Sequence, residues 1–123
     1  MILYILFYRY SRHYIKVYDD AGPYKFWINI KPDTAAIDSG LRSKSKATIK
    51  LKKISGVTGY VLQYSTSDKF SKKSTKSKTI KGTTVKLSGL NKKKTYYVRV
   101  RCYKTLNGKT YYGDYGNTYT LWP

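Results

Sequence analysis

Residues 95–103 read Thr-Tyr-Tyr-Val-Arg-Val-Arg-Cys-Tyr, and no other stretch constrains the fold as tightly. Its period is two. A β-strand turns successive side chains to opposite faces, so Tyr96, Val98, Val100 and Cys102 share one face, while Tyr97, Arg99, Arg101 and Tyr103 share the other. An apolar face backed by an aromatic-cationic one predicts a strand lying half-buried on a core. Just beyond it stand Leu106-Asn107-Gly108-Lys109 and further tyrosines. Asn-Gly between β-forming residues predicts a type I′ hairpin, because that turn needs φ > 0 at both central positions.

The same alternation recurs upstream. KATIKLKK (46–53) sets Ala47, Ile49 and Leu51 against Thr48, Lys50 and Lys52. GVTGYVLQYSTS (56–67) opens on two glycines, then sets Tyr60, Leu62 and Tyr64 against Val61 and Gln63. TTVKLSGL (83–90) places Val85 and Leu87 together. Between Ser65 and Lys81 the chain is rich in Ser, Thr and Lys, with Phe70 as its one candidate for burial; it reads as a long exposed connection with a short strand near Thr79-Ile80. Fifteen tyrosines, a single Met and no Glu favour pleated strands over surface helices. Short strands at this spacing predict an all-β sandwich or barrel.

The residues from Leu90 to Val100, LNKKKTYYVRV, resemble the signature of the fibronectin type III family around its sixth strand. That resemblance implies a seven-stranded, immunoglobulin-like β-sandwich over residues 33–123, with Tyr96 as a tyrosine-corner residue tied to backbone near Leu90. Gly56, Gly59, Tyr60, Tyr64, Ser65 and Ser67, together with the Lys-rich loops, are similar to type III repeats of Gram-positive surface proteins. Leu90, Tyr96, Tyr60 and Tyr64 are thus the structural signature. Leu51 stands where the family usually has Trp, which implies looser packing around Tyr60 and Tyr96.

Residues 1–32 read as an N-terminal, β-hairpin-like extension. An offset of 91 aligns Gly22, Tyr24 and Pro32 with Gly113, Tyr115 and Pro123, and pairs Ile28 and Ile30 with Tyr119 and Leu121. This suggests the final hairpin of a preceding type III-like repeat, turning near Asp19-Asp20-Ala21-Gly22; an unassigned extension is the alternative. Residues 1–8 are apolar but far short of the ~20 needed to span a bilayer. They lack a basic n-region and a small-residue cleavage site, so the export signal of a secreted or surface protein is expected outside these residues.

The chemistry of catalysis is poorly represented. The one histidine, His13, has no second His, Glu or nearby Cys with which to build a triad or metal site. The six Asp are scattered, and no glycine-rich phosphate loop is present. No catalytic, cofactor-binding or metal residue is assigned, and no cofactor is expected. The single Cys102 reads as a small buried hydrophobe.

Charge is the remaining clue. Residues 41–104 carry nineteen basic side chains against Asp68 alone, so +18 of the net +19 sits there. Two functions stay open. One is a non-catalytic spacer, display or adhesion unit of a bacterial cell-surface or secreted protein, with neighbouring type III-like modules as its partners. The other is a polyanion-binding module for a cell-wall polymer or another anionic polysaccharide, ahead of nucleic acid, with Tyr97, Arg99, Arg101 and Tyr103 as the ligand-facing stripe.

Overall fold

Alternation along the chain becomes two facing antiparallel sheets. The computed structural model describes residues 32–123 in full and, before them, the backbone of strands β1 (Leu3–Tyr4), β2 (Tyr10–Arg12), β3 (Lys16–Asp19), β4 (Gly22–Lys25) and β5 (Lys31–Pro32). Among these β1, β3 and β4 form one small sheet, with Asp19 opposite Gly22, and β2 pairs with β5. Ile28, Ile30, Asp20, Ala21 and His13 lie outside the described residues.

The sandwich begins at β6 (Ile37–Ser43), which turns at Lys44-Ser45 into β7 (Lys46–Leu51). β8 (Gly59–Ser65), β9 (Thr75–Ile80) and β10 (Thr84–Leu87) follow, then the long β11 (Tyr96–Leu106) and the shorter β12 (Lys109–Tyr112) and β13 (Tyr119–Leu121). One sheet has the order β10-β7-β6; in the other, β9, β8 and β11 are consecutive and both β12 and β13 pair with β11. β12 and β13 bond to successive halves of the same β11 edge, so they form one strand interrupted at residues 113–118. Counted that way the sandwich has seven strands. Among the described residues there is no helix.

The core is made by the apolar faces the alternation predicts. Ala47, Ile49, Leu51, Val85 and Leu87 from one sheet meet Tyr60, Leu62, Val98, Val100, Cys102 and Leu121 from the other, and all are buried. At roughly 25 cal/mol per Å² of apolar surface removed from water, this interdigitated layer supplies most of the driving force. Leu51 is 5 % exposed and Tyr60 only 2 %, so the smaller residue at the usual Trp position leaves Tyr60 closely covered. The tyrosine hydroxyl also accepts the Ile54 amide at 2.8 Å. The predicted type I′ turn is present: Leu106 pairs with Lys109, with φ of 49° at Asn107 and 78° at Gly108.

Two readings of the 65–81 stretch need correction. Strand β9 extends over Thr75–Ile80 and pairs with β8 along its whole length, from Ser65–Thr75 to Tyr60–Ile80, so the loop spans only 66–74. Its lysines hid it, because an edge strand exposed on both sides carries no hydrophobic period. Lys78 instead reaches across and donates to the Lys86 carbonyl at 2.9 Å, covering the gap between the sheets. Phe70 is not in the core; it is half-buried on the outer face of the second sheet.

Arg42 closes one end of the sandwich. From β6 its guanidinium donates to the carbonyls of Lys44 (3.0 Å), Lys94 (2.6 Å), Asn91 (2.6 Å) and Leu121 (3.2 Å). Three backbone segments, the β6–β7 turn, the 91–94 stretch and the end of β13, thus share a single planar donor. The Leu90 amide adds a bond to the Ser45 carbonyl at 2.9 Å. Replacing Arg42 by Ala should cost roughly 2 kcal/mol, since the freed carbonyls are partly rehydrated. Arg42→Lys should recover less than half, because an ammonium cannot match the planar fork. A fall in the urea midpoint at unchanged slope is the expected signature; a midpoint unmoved by Arg42→Ala would contradict the role.

Candidate functional site

The outward face of β11 carries Tyr97, Arg99, Arg101 and Tyr103, and the structure brings three of them into one stack. The Arg99 guanidinium carbon lies 4.1 Å from the ring centres of both Phe70 and Tyr115. Arg101 lies 4.0 Å from the Tyr112 ring and 4.9 Å from that of Tyr115. Tyr103 and Tyr112 continue the series, their rings 6.2 Å apart. The order is Phe70, Arg99, Tyr115, Arg101, Tyr112, Tyr103: cations alternate with rings before the two closing tyrosines. Tyr97 is half-buried beyond this stack, opposite Thr120 and Ser65.

Three elements place those rings. Phe70 sits at φ 50°, a left-handed conformation that a bulky side chain rarely adopts, at the tip of the 66–74 loop. That loop is anchored by Ser65, fully buried, whose hydroxyl bonds Ser74 at 2.9 Å and accepts the Ser67 amide at 3.0 Å. Tyr112 comes from β12. Tyr115 comes from the interruption between β12 and β13, where Gly113 and Gly116 still donate to the Cys102 and Val100 carbonyls at 2.9 and 3.0 Å. Both must be glycine. A Cβ on Gly113 would stand 2.7 Å from the Asp33 carbonyl oxygen, and one on Gly116 would run into the Ala35 carbonyl.

Each guanidinium therefore spends its faces on rings, worth roughly 0.5–2 kcal/mol per contact depending on desolvation. The Arg99 Nε also donates to the Gln63 side-chain oxygen at 2.8 Å. Arg101 Nε is buried without an acceptor among the described residues, and the guanidinium lies against the Tyr112 and Tyr115 rings. What remains for a ligand is the outer edge of the stack and its tyrosine hydroxyls. Of the signature residues, the Tyr96 hydroxyl accepts the Asn91 amide at 2.9 Å, next to buried Leu90, and its ring lies 6.4 Å from that of Tyr64. Sequence reasoning missed Tyr112, Tyr115 and Phe70 as partners of the arginines; the Gly-x-Tyr spacing around residue 115 was the available signal.

No family model matches this sequence, and no curated protein does. Among solved structures, the chain is similar to the FN1–FN3 domains of chicken CNTN1, with a TM-score of 0.55 and 16% identity over 94% of this chain. The fold is fibronectin type III-like. The chain spans 42% of that neighbour's length. At this identity the likeness concerns the fold, and it lends no support to membership of a bacterial surface-repeat family. Fibronectin type III-like folds are typically non-catalytic and often extracellular. Among the described residues no helix is long and apolar enough to cross a membrane, and no three His, Cys, Asp or Glu side chains come close enough to hold a metal ion.

A surface cleft of about 400 Å³ opens at one end of this fibronectin type III-like sandwich, between residues 53–57 and 81–83. Lys53 and Lys81 line it together with Ile54, Val57 and Thr83, and no carboxylate does. Acid–base chemistry has no pair to work with there.

Cys102 faces the core below the arginine stack. It is buried, and its thiol donates to the Asp33 carbonyl at 2.9 Å. Burial pushes the thiol up from 9.0 to about 11; the nearby Asp33 charge adds to this and a backbone hydrogen bond opposes it. A thiol held protonated is a poor nucleophile. Because the folded pKa lies above the unfolded one, the contribution is complete below pH 9.0 and is lost as pH rises through about 11. The stability difference between the native chain and Cys102→Ala should therefore narrow over that window, on the order of 2 kcal/mol. At pH 8 an aromatic disulfide reagent should label the thiol only as fast as the chain unfolds. Immediate labelling of the folded chain would overturn this assignment.

Proposed function

We propose that this chain is a non-catalytic spacer or display module of a cell-surface or secreted protein. The observation that carries the reading is the path of the chain through the sandwich. β6 starts opposite Leu51 and finishes opposite Lys46, at the end where the Leu90 amide bonds Ser45. β13 pairs Leu121 with Tyr96 at that same end, whereas Asp33 approaches beside Cys102 and Gly113 near the other. The module is thus entered at one end and left at the other, which suits head-to-tail connection in a series of modules. Its reactive groups are turned inward: the thiol on a carbonyl, the guanidiniums on rings and carbonyls, and two tyrosine hydroxyls on backbone amides. A bacterial setting is suggested by the Tyr-Ser-x-Ser and Lys-rich loop motifs.

Six residues separate the level of Cys102 from Tyr96, so spin labels on Thr34→Cys and Pro123→Cys should lie roughly 20 Å apart at about 3.3 Å per residue. The buried thiol of Cys102 leaves such labelling selective. A separation below about 15 Å, or one that changes with salt, would count against an in-line spacer.

A second reading, polyanion binding, is favoured by a separate observation. All fifteen lysines between Lys44 and Lys94 are exposed. Retention on an immobilised polyanion with a steep salt dependence is the expected result. Replacing Arg99 and Arg101 together should leave that retention nearly intact, because their faces are already occupied. Loss of retention in that double variant would restore the β11 stripe as the binding surface.

A further inference from the structure

We propose that the end of the sandwich from which the chain leaves is a docking site for an acidic polysaccharide, in which Lys44, Lys92, Lys93 and Lys94, gathered around Arg42, hold its anionic groups and Trp122 stacks on a sugar ring. This rests on the polyanion reading and gives it a place. In sequence these lysines lie almost fifty residues apart. Arg42 brings them together, since its guanidinium binds the carbonyls of Lys44, Lys94 and the intervening segment's Asn91 at 2.6–3.0 Å. Its faces and donors are committed to the Tyr96 ring, 5.2 Å away, and to those carbonyls, yet its charge adds to the local field. All four ammonium groups are exposed, and among the described residues none has an acidic partner. Asp68 is the only acidic side chain between residues 41 and 104.

Two further observations point outward from the same end. Lys44 sits at φ 55°, a conformation that glycine adopts freely and lysine does not. The two-residue β6–β7 turn calls for that conformation at its first position, and it sets the exposed Lys44 at the end of the sandwich. Trp122 is 70 % exposed and directly follows Leu121, whose carbonyl accepts from Arg42. Its indole offers a flat apolar face with an N–H at the edge.

The chemistry favours polysaccharide over nucleic acid. Single-stranded nucleic acid is held by several aromatic platforms along a groove. Among the described residues one indole is available here, and the Tyr96 ring lies against Arg42 while its hydroxyl accepts the Asn91 amide. Lysine ammoniums act as point charges suited to sulfate, phosphate or carboxylate groups spaced along a flexible chain. The exposed Ser43 and Asn91 alongside them can meet sugar hydroxyls.

The test uses the full chain on immobilised heparin, with affinity measured against sodium chloride. Lys92→Gln, Lys93→Gln and Lys94→Gln together should lower the slope of log K against log salt by about two, at about 0.7 per cation removed. The same charge change at the opposite end, Lys52→Gln, Lys53→Gln and Lys81→Gln, should alter it by less than about half a unit on that scale. Lys44→Gly should bind more weakly while its urea midpoint holds or rises, so its loss cannot be blamed on misfolding. Trp122→Ala should weaken binding several-fold at unchanged slope. Equal losses from the two triple variants would overturn the located site and leave only a diffuse field. Failure of the unmodified chain to be retained would overturn the polyanion reading itself. Tighter binding to oligothymidylate than to a heparin oligosaccharide of equal charge would overturn the choice of polysaccharide. A Trp122→Ala variant that matches the native chain would remove the stacking role.

Discussion

Strand β11 is bonded along both edges, to β8 on one side and to β12 and β13 on the other, and each of its faces has a committed occupant. Val98, Val100 and Cys102 are sealed between the sheets; Arg99 and Arg101 are held among three rings on the far side. A slip of one residue would exchange these sets. It would bury two guanidiniums in an apolar core, where an unpaired charge costs several kcal/mol, and push the valines into water. The ladder is therefore part of what holds the register of the whole second sheet. Phe70, Tyr112 and Tyr115 are all placed with respect to it.

The first sheet depends on the same strand indirectly. Tyr96, at the start of β11, fixes the 88–95 loop through the Asn91 amide, and Arg42 then joins that loop to the β6–β7 turn and to Leu121. The two sheets are thus tied at one end by a hydroxyl and a guanidinium acting on backbone groups. At the other end the Tyr60 hydroxyl on Ile54 does a similar job for the 52–58 loop. Loops that would otherwise fray are bound to the strands that define the core.

Legibility followed the physical period of each element. Ile49, Leu62, Val85 and Val100 sit on strands with one dry face, so alternation alone located them and the core they form. Asn107-Gly108 carried its own backbone geometry. β9 was hidden because a strand whose side chains are all in or near water needs no apolar period. Phe70 misled because an aromatic residue in a polar loop reads as a core anchor, whereas its backbone turns left-handed and presents the ring to Arg99. Arg42 and Tyr115 are set by tertiary geometry; most partners of Arg42 lie some fifty or more residues along the chain and those of Tyr115 on a neighbouring strand, so no local spacing announces them. The outward stripe was visible as a stripe, but the occupants of its faces were not.

Cationic residues divide by chemistry in the sandwich. The three arginines, Arg42, Arg99 and Arg101, are half-buried and use planar guanidiniums to bind carbonyls and stack on rings. The lysines from 44 to 94 are all exposed, and apart from Lys78, which reaches the Lys86 carbonyl, they make the external field while the arginines do the structural work. Because the field is built of solvated point charges, it can be strong without being coupled to the core, and individual lysines can change with little effect on folding. Such a field attracts any polyanion at low salt. Selectivity requires charges fixed relative to one another, and at the Arg42 end the guanidinium holds two lysine-bearing segments, the turn with Lys44 and the loop with Lys92 to Lys94, in one arrangement. The two proposed roles, spacing and polyanion binding, therefore draw on different features of the molecule: the path of the strands for the first, the lysines around Arg42 for the second.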